Sequence, residues 1–152
     1  MSMNGVHIEH QKLLSFEHGA DFLLIDSGMK TRDIAQDEAV LQELDLDPRQ
    51  LISGQCSGPL LLSALGLLAV MPTSTVTKRQ AAEVGMPVLE RPFHAAGSLA
   101  TAGGCLTSQF LAGGAIIQSA GWRYAGKVLR HVSPVGQTDE YVAPCYGGDR
   151  SY

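Results

Sequence analysis

The sequence is poor in charged and aromatic residues and has no long uninterrupted hydrophobic run. Its 152 residues are 17% charged, 6% aromatic and 45% hydrophobic. This composition excludes a disordered chain, which needs more charge and fewer apolar residues. The longest apolar run, from Pro59 to Met71, is interrupted by Ser63 and is too short for the ~20 residues that span a bilayer. We expect a soluble globular protein with no membrane partner.

The chain also has no excess of positive charge and no signal for secretion. The chain has eleven Lys and Arg and fifteen Asp and Glu, which give a net charge of −4. Because the sequence has no basic stripe that could follow a phosphate backbone, we predict no nucleic-acid partner. Met1 to Lys12 contains no apolar signal-peptide core. The three cysteines are an odd number, which leaves at least one free thiol. Both features favour a cytoplasmic location.

Patterns for metals and nucleotides are missing as well. The three Cys and five His show no C-x-x-C or H-x-x-x-H spacing. Gly103-Gly104 matches neither a Walker loop nor G-x-G-x-x-G. We therefore predict no metal and no cofactor. Cys105, which follows this glycine pair, is interpreted as a small packed thiol, although the start of a helix also activates thiols.

What the sequence does contain is an alternation of short apolar runs and helical patterns, which predicts one α/β domain over residues 1–152. Asp33 is the predicted N-cap of the first helix. A turn over Pro92 to Gly97 is predicted to join two strands of a hairpin, and residues 133–152 to form a turn-rich tail. The predicted strands are Ala20–Asp26, Gln50–Ser53, Val88–Arg91 and Ser98–Ala102, and the predicted helices are Ile34–Leu44, Pro59–Leu68, Thr75–Val84, Leu106–Ser119 and Trp122–Val132.

The candidate chemistry lies at Cys56, in a G-x-C-x-G turn between a strand and an apolar helix. A nucleophile elbow needs small residues on both sides of the reactive residue, because a neighbouring Cβ would collide with the adjacent strand or helix. Gly54 and Gly58 supply that space. The alternative is an ordinary turn that holds a buried cysteine.

If the turn is an elbow, the following helix begins beside the Cys56 sulfur. Its unpaired N–H groups and dipole are expected to lower the thiol pKa. The backbone N–H of Ser57 and one from the loop that contains Gly28 are predicted to form an oxyanion hole.

Three segments together resemble the ThiJ/PfpI superfamily of class I glutamine-amidotransferase-like folds. They are Ala20–Gly28, Leu51–Leu68 and Leu99–Ser108, and the resemblance runs from about residue 20 to about residue 132. It implies a flavodoxin-like three-layer sandwich with a mainly parallel sheet, Cys56 as nucleophile and Gly28 in the oxyanion pocket. It also implies a homodimer and a small-molecule substrate. Family activities include glyoxalase and deglycase-type hydration, isonitrile hydration, proteolysis and oxidative-stress sensing, so the fold does not name the substrate.

The sequence departs from the family in two places that concern catalysis. Family domains begin with a strand and helix that deliver a glutamate to the nucleophile, a unit that is not recognised here, and Glu9 and Glu17 are the only early candidates. A histidine after the nucleophile is replaced by Ser57. His94 is the remaining candidate base, with a solvated turn histidine as the alternative.

Two functions follow from these observations. The first is a cysteine-nucleophile hydrolase, hydratase or lyase acting on a small electrophilic carbon, with Cys56, Ser57, Gly28 and His94 in its site. The second is a non-catalytic or redox-sensing dimeric stress-response protein, in which Cys56 is oxidised.

Overall fold

The computed structural model describes residues 5–47, 49–68, 73, 75 and 78–146, with side chains described as far as residue 143. Within these residues four strands form one sheet in the order β1-β2-β4-β3. β1, β2 and β4 are mutually parallel, and β3 is antiparallel to β4. The strands are β1 Phe22–Ile25, β2 Leu51–Gln55, β3 Phe93–Ala96 and β4 Leu99–Ala102.

Helices cover both faces of this sheet, as the predicted three-layer α/β sandwich requires. None of the described helices is long and apolar enough to cross a membrane. Two short 3-10 turns, Leu14–Gly19 and Cys105–Thr107, precede β1 and the longest helix. The α-helices are α1 Thr31–Ile34, α2 Glu38–Glu43, α3 Pro59–Ala64, α4 Lys78–Glu83, α5 Ser108–Ala120, α6 Trp122–Val132 and α7 Thr138–Tyr146.

The alternation of side chains along the strands divides the core into two clusters. On one face Ile52 of β2 packs with Leu62 of α3 and Ala81 of α4. On the other face Phe93 of β3 packs against Phe110 and Leu129, which come from α5 and α6. The mainly parallel flavodoxin-like architecture is therefore confirmed.

The predicted hairpin exists, but its first strand begins after the position expected from the sequence. Val88 makes only an isolated bridge with Thr73. The segment predicted as the turn instead contains β3, and the chain reverses at Gly97, whose φ is +58°. The reason is packing, because Phe93 fills space against α5 and draws its neighbours into the sheet. The placement of His94 in a turn was wrong, since it lies on a strand.

Helix boundaries differ from the predicted ones where local capping decides them. The predicted helix Ile34–Leu44 is divided into α1 and α2, and Asp37 rather than Asp33 is an N-cap, because its carboxylate accepts from the N–H groups of Ala39 and Val40. The helix after Cys56 ends at Ala64 rather than Leu68. Residues 138–146, within the segment expected to be turn-rich, form α7.

Candidate functional site

Cys56 lies at the carboxyl end of β2, in the sharp turn that leads to α3. Its φ is +56°, and among the described residues it is the one non-glycine residue with a positive φ. For a residue with a Cβ this conformation costs about 1–3 kcal/mol, and such strain collects at functional sites. The backbone N–H of Cys56 donates to the carbonyl of Ala102 at 2.8 Å, and its own carbonyl accepts from the hydroxyl of Thr75. These two bonds hold the strained turn in place.

The two flanking glycines are required by close backbone contacts. A Cβ on Gly58 would lie 2.1 Å from the carbonyl oxygen of Ile25 in β1. A Cβ on Gly54 would lie 2.9 Å from the backbone nitrogen of Pro59 and 2.9 Å from Cδ1 of Leu62. These three distances are shorter than real Cβ contacts, so the turn closes only with glycine at these positions.

The Cys56 sulfur lies in a partly buried environment that favours the protonated thiol. Burial raises the pKa of Cys56, and hydrogen bonds that the Ser27 hydroxyl and the Ser57 N–H donate to the sulfur oppose that rise. Cys105 raises the pKa further, first through its charge and then through a side-chain hydrogen bond with Cys56. The expectation that α3 lowers this pKa was wrong. α3 has only six residues, and burial outweighs what its N–H groups and dipole supply.

The loop that contains Gly28 is connected to the elbow through Thr31. The Gly28 N–H donates to the Thr31 hydroxyl at 2.9 Å, and the buried Ser57 hydroxyl donates to the same oxygen at 3.0 Å. The Thr31 hydroxyl in turn donates to the Gly28 carbonyl at 2.8 Å. Gly28 and Ser57 are thus brought to one place, but the Gly28 N–H already has a partner.

His94 does not join this cluster. It pairs with Thr101 of β4, and β4 separates it from β2, so its Cα is about 10 Å from the strand that bears Cys56, at ~4.8 Å per strand. It is not among the groups that perturb the Cys56 thiol. Burial, with a smaller contribution from Arg91, lowers the pKa of His94, which is therefore neutral at pH 7.

The early glutamates are also remote from the sulfur. The backbone carbonyl of the buried Glu17 accepts from Gln50, which precedes β2, whereas Cys56 follows its last residue. The five residues of β2 place these ends about 16 Å apart. Glu9 is exposed in the segment before the first 3-10 turn. Among the described residues no carboxylate contributes to the Cys56 environment.

Solved structures with the same architecture include DJ-1 of Schizosaccharomyces pombe, at 20% identity and a TM-score of 0.51 over 84% of this chain and 63% of that chain. VC2308 protein is similar at 18% identity and a TM-score of 0.65, over 84% of this chain and 68% of that one. A two-domain protein of Anabaena variabilis with DJ-1/ThiJ/PfpI-like and ferritin-like domains is similar at 17% identity and a TM-score of 0.59, over 91% of this chain and 39% of that one.

The chain has the DJ-1/ThiJ/PfpI fold. It spans slightly less than two thirds of the length of S. pombe DJ-1. No family model matches the sequence, and no curated protein matches it.

On this DJ-1/ThiJ/PfpI fold, the site contains three residues whose role the sequence did not reveal. Ser27 donates to the Cys56 sulfur, Thr31 joins the two loops, and Cys105 raises the pKa of the thiol. Ser27 directly precedes Gly28 and Thr31 follows it by three residues, a spacing typical of a Ser/Thr turn. Cys105 is exposed rather than packed, and its contact with Cys56 depends on the pairing of β2 with β4.

Proposed function

We propose that the protein is a cysteine-nucleophile enzyme, a hydrolase, hydratase or lyase that acts on a small electrophilic substrate such as a carbonyl compound, an isonitrile or an amide. The observation that carries this proposal is the strained conformation of Cys56, at φ +56°. A strained, partly exposed cysteine between a parallel strand and a helix is the arrangement that presents a nucleophile to a bound substrate.

In this reaction the Cys56 sulfur attacks the electrophilic carbon, the π bond from that carbon to oxygen or nitrogen opens as the carbon–sulfur bond forms, and the thiol proton passes to substrate or water. Water later breaks the carbon–sulfur bond and restores the thiol. Because the pKa of Cys56 is raised, the thiol has to lose its proton in the course of the attack. The N–H groups of Ser57 and Gly28 stabilise the negative charge that develops on the substrate. To do so, the Gly28 N–H must exchange the Thr31 hydroxyl, and the Ser57 N–H must exchange the Cys56 sulfur, for the substrate atom.

We further propose that the active form is a homodimer. β1 pairs only with β2 among the described strands, so its outer edge is open to a partner. Phe22 and Leu24 on this strand are 36% and 44% exposed, and apolar side chains beside an open edge favour association. The cytoplasmic location stays a prediction.

A second candidate function is redox sensing by a dimeric stress-response protein. It is favoured by the same thiol environment, because no histidine or carboxylate is among the groups that perturb Cys56 in the described part of the chain. A positioned base accelerates turnover of a carbon electrophile, whereas a sensor needs only a thiol that is oxidised and later reduced.

Turnover of the three substrate classes by the purified chain tests the first proposal. We expect one class to be converted, with a transient Cys56 adduct visible by intact mass, and we expect Cys56→Ser to abolish both. The third cysteine of the chain, Cys145, lies on α7, and Cys145→Ser is the matched control that is expected to retain activity. Equal turnover by the parent and Cys56→Ser, or no turnover of any class, contradicts the enzyme assignment.

A further inference from the structure

Two thiols meet at the carboxyl edge of the sheet. Cys56 directly follows β2 and Cys105 lies three residues after β4, and these neighbouring strands are in register at Gln55 and Ala102. The side-chain amide of Gln55 donates to the Cys105 carbonyl at 2.9 Å, which fixes the second thiol beside the first. Cys105 is also among the groups that raise the pKa of Cys56, through its charge and through a side-chain hydrogen bond, so the two thiols lie near each other.

The two cysteines differ in accessibility in a way that suits consecutive reactions. Cys56 is partly buried, whereas Cys105 is exposed. Cys105 begins a three-residue 3-10 turn that leads directly into α5. Closing the sulfur–sulfur distance to the ~2.05 Å of a disulfide therefore requires an adjustment of this turn at the start of α5.

We propose that Cys56 and Cys105 form a two-thiol site that reduces a hydroperoxide and ends as an intramolecular disulfide. This activity goes beyond the proposed conversion of a carbon electrophile and does not depend on it. It also goes beyond oxidation of a single sensing cysteine, because it gives Cys105 the role of the resolving thiol.

The two steps balance in atoms and electrons. In the first, the deprotonated Cys56 sulfur attacks the peroxide, a sulfur–oxygen bond forms, the oxygen–oxygen bond breaks, and water or an alcohol leaves with the thiol proton. In the second, the Cys105 sulfur attacks the Cys56 sulfur, the disulfide forms, and the oxygen leaves as water with the Cys105 proton. The thiols lose two electrons and the peroxide gains them.

The hydrogen-bond donors at the site support Cys56 as the first thiol to react. The Ser27 hydroxyl and the Ser57 N–H both point at its sulfur, where they stabilise the attacking thiolate and the sulfenate that follows. Cys105 lies nearby on the turn after β4 and is placed to attack the oxidised sulfur.

The test is to treat the full reduced chain with hydrogen peroxide and to follow intact mass and peptide maps. We expect the loss of two hydrogen atoms and a peptide that joins Cys56 to Cys105. In Cys105→Ser we expect no such loss, and instead a sulfenic acid on Cys56 that dimedone traps. Cys56→Ser is expected to form no disulfide, whereas Cys145→Ser behaves like the parent chain.

A disulfide that involves Cys145, a bond between two molecules, or no oxidation of the parent chain would overturn the proposal. Cys105→Ala serves as a second variant, with circular dichroism to show that each variant is folded. Because no carbon electrophile is present, the result is separate from the enzyme assignment. If the chain forms the disulfide but converts no carbon electrophile, the two-thiol proposal is supported and the enzyme proposal is contradicted.

Discussion

Opposing contributions set the chemistry of the Cys56 thiol. Burial favours the neutral form, while the Ser27 hydroxyl and the Ser57 N–H favour the thiolate. Since burial is the largest contribution, the folded chain holds this proton more tightly than the unfolded chain does. The associated stability is present below the unfolded pKa and is lost as pH rises through the higher folded pKa.

The elbow is the part of the molecule least tolerant of an added methyl group. We expect Gly58→Ala to destabilise the protein by at least about 2 kcal/mol, because the new Cβ meets the carbonyl of Ile25 at 2.1 Å. Urea denaturation followed by circular dichroism measures the change in the free energy of unfolding.

Gly19→Ala is the matched control for this measurement. A Cβ at Gly19 has no neighbour within 4 Å, and its φ is not positive, so we expect less than about 0.5 kcal/mol of change. Equal effects of the two substitutions would show that the turn at Gly58 is not closed as described.

The need for glycine at this turn could be predicted from the G-x-C-x-G spacing, because a steric requirement is local. The pKa of Cys56 could not. It depends first on burial and then on Ser27 and Cys105, which are distant in sequence and are brought to the thiol by the pairing of β1, β2 and β4.

Among the elements, α3 links the candidate site to the core. Leu62 on this helix is completely buried, and its Cδ1 limits the space at Gly54. A shift of α3 against the sheet would therefore change the space at Gly54, next to the Cys56 turn.

We expect Leu62→Ala to lower the free energy of unfolding by about 2–5 kcal/mol, through lost burial and the cavity left behind. The control is Leu106→Ala, at a side chain that is 87% exposed and so expected to change stability by less than about 0.5 kcal/mol. Chemical denaturation compares the two, and a small effect at Leu62 would contradict the packing of α3 on β2.

The parallel strands and the helices rich in apolar residues were predictable because their burial pattern is continuous along the chain. β3 was missed because Phe93, His94, Ala95 and Ala96 have no strong alternation of their own. Their strand conformation depends on β4 and on the contact of Phe93 with α5.

At the scale of the whole molecule, the two edge strands of the sheet differ in how much apolar side chain they expose. β3 packs Phe93 against α5, whereas Phe22 and Leu24 of β1 are partly exposed. Phe22 lines an apolar cavity between the sheet and α5 that Ile117 and Trp122 also border. This side of the sheet is the surface on which we expect the dimer to form.

We expect sedimentation equilibrium to give about twice the 16.2 kDa of one chain, and Leu24→Lys to shift the protein towards the monomer, because a charge on this face opposes association. Val128→Lys on α6 is the control, since Val128 is 43% exposed and Leu24 is 44% exposed. A monomeric parent chain, or equal shifts in the two variants, would contradict the proposed dimer surface.

The most direct measurement is the pH dependence of Cys56 alkylation by iodoacetamide, with the modified site assigned by peptide mass. A reachable but partly buried elbow thiol predicts a single titration with an apparent pKa above the ~8.5 of a free thiol, and a return to the ordinary value in urea. A folded-state pKa at or below that of a free thiol, or a Cys56 that does not react at any pH while the protein is folded, would contradict the assignment of Cys56 as a strained nucleophile held protonated by burial.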